Sequence, residues 1–125
     1  TAGNERFHLQ VAFNYGGQAD ILDAARCFAE AVQAGDVSPE DIDEDLFQGY
    51  LSTSGSPPPD LIIRTSGEQR LSNFLLWEAA YAEFVFQDIL WPDYGREALK
   101  AALDVFARRS RRYGGLEADH AVQSA

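Results

Sequence analysis

Asp60-Leu61-Ile62-Ile63-Arg64-Thr65-Ser66-Gly67-Glu68-Gln69-Arg70-Leu71-Ser72-Asn73 decides the reading of this chain. Prolines precede it and Thr65-Ser66-Gly67 breaks it, so DLIIR (60–64) reads as a short buried strand. Its neighbours read as helices, which makes the strand central and parallel in an α/β layer. In such sheets ligands bind beyond the carboxyl ends of strands. Here that end delivers Arg64, Thr65, Ser66, Gly67, Arg70 and Ser72 within ten residues. An arginine closing a buried strand needs an anion. A carboxylate such as Glu68 or Glu83 would serve. So would a phosphate, which the forked donors of two arginines grip in bidentate fashion. The amides of a Thr-Ser-Gly turn, the Ser72 hydroxyl and the start of a helix at Ser72 would complete a diphosphate cradle.

Outward from this segment, the pattern alternates strand and helix. FHLQVAF (7–13) reads as a buried strand ended by the Asn14-Tyr15-Gly16-Gly17 turn. Ile21, Leu22, Ala25, Phe28, Ala29 and Val32 mark one face of a helix from Asp20 to Ala34, with Gly35 as its C-cap. Ser38-Pro39-Glu40-Asp41 has the order N-cap, proline, acids. A helix is expected from Asn73 to about Tyr81 with Ser72 as N-cap. A strand follows over Glu83 to Phe86. A last helix runs from Asp93 or Tyr94 to Arg112, with Leu99, Ala102, Leu103 and Phe106 inward and Gly114-Gly115 after it. One domain over 1–115 and a flexible tail over 116–125 follow from this pattern.

With 125 residues, 46% of them hydrophobic, the chain has material for one core. The formal net charge of −10 argues against sequence-independent nucleic-acid binding and against an anionic membrane surface. Residues 35–63 hold seven acids and no lysine or arginine, which suits a solvated face, whereas Arg108, Arg109, Arg111 and Arg112 concentrate four of ten cations. A single cysteine, Cys27, excludes an intrachain disulfide and reads as a structural thiol. No signal peptide is visible, and the abrupt opening without methionine suggests a piece of a longer protein. His8 and His120 stand far from the serines, so no catalytic triad forms. Glu83 reads either as the partner of an arginine or, beside a diphosphate, as a Mg²⁺ ligand, because that ion keeps waters and takes only one or two carboxylates.

Taken together, Phe13-Asn14-Tyr15-Gly16-Gly17, the run from Asp60 through Asn73 to Phe74-Leu75-Leu76-Trp77, Ala80-Tyr81-Ala82-Glu83-Phe84 and Leu90-Trp91-Pro92-Asp93 resemble the cis-prenyltransferases, the family of undecaprenyl diphosphate synthase. The resemblance runs from about residue 3 to residue 115. It implies the C-terminal part of that family's mostly parallel sheet flanked by helices. It also implies a cytoplasmic, Mg²⁺-dependent transferase that condenses isopentenyl diphosphate with an allylic diphosphate to a (Z)-prenyl diphosphate.

By matched position, Arg64, Arg70 and Ser72 hold the diphosphate of isopentenyl diphosphate, Asn14 lies near the reacting groups, and Glu83 helps coordinate Mg²⁺. Arg112 and Gly114 match a C-terminal motif that contacts a diphosphate, in some members across a dimer. Gln69 stands where other members carry histidine. The family's Asp-Gly-Asn-Gly-Arg-Trp segment has no counterpart here. The resemblance therefore implies a half-enzyme or subunit that needs an N-terminal half or partner, in a homo- or heterodimer, with transient membrane contact through the lipid product. The alternative is a non-catalytic partner subunit of a heteromeric enzyme.

Overall fold

The computed structural model describes residue 3 and residues 7–109. They fall into two compact units: residues up to 57 together with 71–77, and residues 58–70 together with 78 onward. The expected tail, the end of the last helix near Arg112, and Arg112 and Gly114 themselves lie outside the described residues.

In the first unit α1 spans Gly17–Ala34. Gly35 ends it in the left-handed region at φ 81°. The Gly35 N–H donates to Val32 O at 3.0 Å and the Asp36 N–H to Ala31 O at 3.0 Å. These two bonds form a Schellman motif, which satisfies carbonyls the helix leaves open. Ala24 rather than Ala25 lies at the centre of the buried face, and Cys27 is exposed. Pro39–Asp41 forms one 3₁₀ turn with a capping box, in which the Ser38 N–H donates to Asp41 Oδ2 at 2.9 Å. The Ser38 hydroxyl donates to the exposed Glu40 carboxylate and lowers its pKa. A short α2, Glu44–Gln48, follows under an Asp43 cap that accepts the Leu46 N–H at 2.8 Å. Phe28 meets Tyr50 edge-on at 5.9 Å, and the backbone N–H of Ser52 is held by Asp20 Oδ1 at 2.9 Å.

The expected strand over residues 7–13 is not formed as a strand. Phe7, Leu9, Val11 and Phe13 are 69–90% exposed. The alternation is that of a strand, but a strand is defined by its ladder, and among the described residues nothing pairs with it.

In the second unit β1, Leu61–Arg64, pairs in parallel with β2, Glu83–Phe86. The parallel pairing is as expected, and among the described residues β2 is the one strand that pairs with β1. Leu61 lies beside Glu83 and Arg64 beside Phe86. Trp91–Asp93 makes a 3₁₀ turn, and α3 begins at Arg96 instead of 93 or 94, running to Arg108. Pro92 suits the first turn of such a corner, and Gly95 is the N-cap of α3. Helix α3 packs on β2, with Ala102 and Val85 buried; Leu99 and Leu103, expected inward, are 43% and 48% exposed. No helix among the described residues is long and apolar enough to cross a membrane.

The expected helix over 73–81 is absent. Residues 72–77 are turns, and only Glu78–Tyr81 make a 3₁₀ turn. The cause is backbone conformation: Ser72, Asn73 and Leu75 take φ values of 52°, 62° and 47°. Left-handed residues at three of four positions cannot continue a right-handed helix.

Candidate diphosphate-binding site

Arg64, Arg70 and Glu83 belong to the second unit, Asn14 and Ser72 to the first. In the second unit the β1 ladder extends past the strand. Gln87 N–H donates to Arg64 O at 2.9 Å, Ser66 N–H to Ile89 O at 2.9 Å and Gly67 N–H to Gln87 O at 3.2 Å. This alters one element of the expected cradle: the amides of Ser66 and Gly67 are already occupied by backbone carbonyls. The turn instead fixes the chain's exit from β1. Ser66 and Gly67 both adopt φ near +65° (64° and 66°), and a Cβ on Gly67 would lie 3.0 Å from Asp88 Oδ1.

Arg64 is half-buried at the carboxyl end of β1, as the sequence indicates. Arg70 is exposed, its side chain 70% accessible, and forms an ion pair with Glu68. The Glu68 side chain is only 34% accessible, so the pair is open on one side, where the exposed guanidinium of Arg70 can still meet an incoming anion.

Glu83 starts β2, at the amino end of the sheet. The parallel register sets it three residues from Arg64 along the strands, about 10 Å at 3.3 Å per residue. Its carboxylate accepts a hydrogen bond from Arg109 Nη1 at 3.0 Å, and the same nitrogen donates to Phe84 O at 2.6 Å. Of the two readings open for Glu83, pairing with an arginine is therefore realised, and the arginine comes from just beyond the end of α3 rather than from the 64–70 segment. Among the described residues no three His, Cys, Asp or Glu side chains gather in a metal-holding group. What this chain offers Mg²⁺ is one half-buried hard-oxygen donor, Glu83. That fits a single position of a shell otherwise filled by phosphate oxygens and water, and not a complete site.

In the first unit Asn14 and Ser72 are both exposed and both left-handed, with φ 53° and 52°. The helix start expected at Ser72 does not exist, so it provides no free amides there. The cap lies elsewhere. Gly17 N–H donates to Asn73 O at 2.7 Å and Gln18 N–H to Asn73 Oδ1 at 2.8 Å. Asn73 thus caps α1 from 55 positions away, where the local N-cap, Gly16, has no side chain to do it. The contact requires both glycines. A Cβ on Gly16 would lie 2.9 Å from Asn73 Nδ2, and one on Gly17 would lie 2.8 Å from Leu76 Cγ. Neither glycine has positive φ, so their role is space and not conformation. Tyr15 packs edge-on against Phe74 at 5.9 Å on the same side. Beside it a hollow of about 380 Å³ is lined by Val11, Tyr15, Thr53, Phe74 and Leu75.

Sequence reasoning missed Asn73, Arg109 and the packing role of Gly16-Gly17. One signal was available: a helix opening with Gly-Gly and no Ser, Thr, Asp or Asn cap leaves amides that another segment has to satisfy.

The undecaprenyl diphosphate synthase family model matches residues 1–114. An isoprenyl transferase of Caulobacter vibrioides is 65% identical over 119 residues, covering 95% of this chain and 46% of the relative. The ditrans,polycis-undecaprenyl-diphosphate synthase ((2E,6E)-farnesyl-diphosphate specific) of Escherichia coli K12 is 49% identical over 117 residues, or 94% of this chain and 46% of that one. The crystal structure of lavandulyl diphosphate synthase from Lavandula x intermedia, in complex with dimethylallyl diphosphate, superposes with a TM-score of 0.77. It shares 47% identity over 80% of this chain and 43% of its own. The chain spans about half the length of the curated relatives it matches.

Proposed function

Because the chain belongs to the undecaprenyl diphosphate synthase family, we propose that it contributes the isopentenyl diphosphate half of a cis-prenyl transfer site. The observation that carries this reading is the arginine segment. An intact Arg64–Ser72 run leaves the carboxyl end of a parallel strand inside the matched residues. In the reaction C4 of isopentenyl diphosphate forms a bond to C1 of an allylic diphosphate. The allylic C1–O bond breaks with departure of diphosphate, and a proton leaves C2 of the isopentenyl unit to set the cis double bond.

Arg64 and Arg70 neutralise and orient the isopentenyl diphosphate, and Ser72 donates a hydroxyl hydrogen bond to it. Each of these contacts restricts where its double bond can lie relative to the electrophilic carbon. Asn14 stands near the reacting groups. When bound, Mg²⁺ supplies charge stabilisation to the departing diphosphate. Glu83 is the side chain of this chain we assign to it, in exchange for its pairing with Arg109. Arg112 and Gly114 are proposed to reach a diphosphate site, in a homo- or heterodimer working in the cytoplasm.

The partner we propose is the portion of the family fold outside the matched residues, supplied by the same polypeptide or by a second one. The open alternation of Phe7, Leu9, Val11 and Phe13 supports it, since an exposed apolar segment with strand periodicity and no ladder invites pairing. The test is turnover of labelled isopentenyl diphosphate with an allylic diphosphate in that assembly. Labelled (Z)-prenyl diphosphate that disappears in the Arg64→Ala variant supports the proposal. Full turnover without Arg64 would make this chain a non-catalytic partner.

A further inference from the structure

We propose that Asn73 is a positioning residue that holds Ser72 and Asn14 in one fixed arrangement by capping α1 from a distant segment. This deepens the functional reading above and rests on it for the identity of the ligand. The two segments are joined at one point. The Asn73 carbonyl and side-chain oxygen accept the N–H groups of Gly17 and Gln18 at 2.7 and 2.8 Å. Ser72 precedes Asn73 directly, and Asn14 lies three residues before Gly17. The backbone on both sides is held in the left-handed region, at 53° for Asn14, 52° for Ser72 and 62° for Asn73.

Such conformations cost free energy in non-glycine residues and persist only where surrounding contacts over-determine them. The amides at the start of α1 supply those contacts, because helix N-terminal donors need acceptors and find them in Asn73. The absence of Cβ atoms at Gly16 and Gly17 lets the segment come this close. Asparagine suits the position twice over: it tolerates positive φ, and its short amide reaches the helix end. Deleting the amide frees the 72–75 backbone to relax, and the Ser72 hydroxyl then leaves its place.

The experiment compares Asn73→Gly, which keeps the backbone conformation strain-free but removes the side-chain acceptor, with Asn73→Asp, which keeps the acceptor. Two readouts are taken in the active assembly. The first is KM for isopentenyl diphosphate and, separately, for the allylic diphosphate. The expected result for Asn73→Gly is a KM for isopentenyl diphosphate raised roughly tenfold, the equivalent of one hydrogen bond to a charged group. The allylic KM stays unchanged, and Asn73→Asp restores the wild-type value. A general loss of folding would lower the active fraction without shifting one KM selectively. An unchanged isopentenyl KM in Asn73→Gly, or no rescue by Asp, overturns the proposal.

The second readout is hydrogen exchange of the Gly17 and Gln18 amides, which needs no turnover. Protection that falls in Asn73→Gly and returns in Asn73→Asp supports the cap, and protection that does not change refutes it. If the wild-type assembly transfers no prenyl group, the functional reading fails, and the exchange arm alone decides the role of Asn73.

Discussion

Replacing Gly17 by alanine tests the close approach on which the first unit depends. Gly17 is buried at the first position of α1, and its φ is not positive, so alanine meets no conformational objection. In an open helix the change would gain up to about 1 kcal/mol in propensity. Here the new Cβ would lie 2.8 Å from Leu76 Cγ, 3.1 Å from Leu76 Cβ and 3.1 Å from the Leu76 backbone nitrogen. Carbon atoms prefer about 3.5–4.0 Å, so the overlap is severe, and one of the three atoms is backbone and cannot rotate away. Overpacking of this kind costs about 1–3 kcal/mol. So short a contact with backbone belongs at the upper end of that range, about 2–3 kcal/mol, and less a propensity gain of about 1 kcal/mol it leaves about 1–2 kcal/mol of net destabilisation. Denaturant unfolding of the wild type and Gly17→Ala, with equal slopes required, measures it. Gly16→Ala is the comparison, because its Cβ meets the Asn73 side-chain amide rather than backbone, so its cost is that of displacing the Asn73–Gln18 hydrogen bond. A Gly17→Ala protein as stable as wild type would show that the 72–76 segment does not press on α1.

Three further outcomes are expected. Glu83→Gln at saturating Mg²⁺ should turn over at well below the wild-type rate, and a wild-type rate in steady-state kinetics would leave Glu83 with only its Arg109 pairing. The Tyr94 hydroxyl is shielded from solvent, accepts and donates no hydrogen bond among the described residues, and has its pKa raised by that burial. Its contribution is therefore full below the unfolded value near 10 and is lost as pH rises through the higher folded value. Tyr94→Phe should match the wild type at neutral pH and flatten the alkaline decline, as read by unfolding at a series of pH values. Amides of residues 7–13 should exchange rapidly in the isolated chain and become protected in the active assembly, and equal exchange in both would argue that no strand is added there.

The second unit was the more legible in sequence. Leu61–Arg64 and Glu83–Phe86 are short apolar runs with clear bounds, and tertiary pairing turned both into strands as local pattern indicates. Gly35, Ser38 and Pro39 marked their turns by local chemistry, which acts within a few residues. What stayed hidden depends on distant partners. Residues 7–13 have the pattern of a strand without the ladder, and Ser72–Trp77 offer an N-cap residue and an apolar run on a backbone that takes left-handed turns to reach α1. Asn73, read as the first residue of a helix, turned out to cap another one. For the candidate site, residue type and order indicated Arg64 and Arg70, but not that Ser66 and Gly67 spend their amides on Gln87 and Ile89. Nor did they indicate that Arg109 takes the Glu83 carboxylate.

The most direct test is calorimetric titration of isopentenyl diphosphate into the active assembly, wild type against Arg70→Ala. Arg70 is 70% accessible and pairs with the less exposed Glu68, so an unfolding curve of the variant is taken beside the titration to show that it is folded. The expected result is binding weakened by about 1.5–3 kcal/mol, the range for a hydrogen bond to a charged group, with affinity for the allylic diphosphate unchanged. Unchanged affinity for isopentenyl diphosphate would contradict the assignment of the 64–72 segment as its diphosphate cradle.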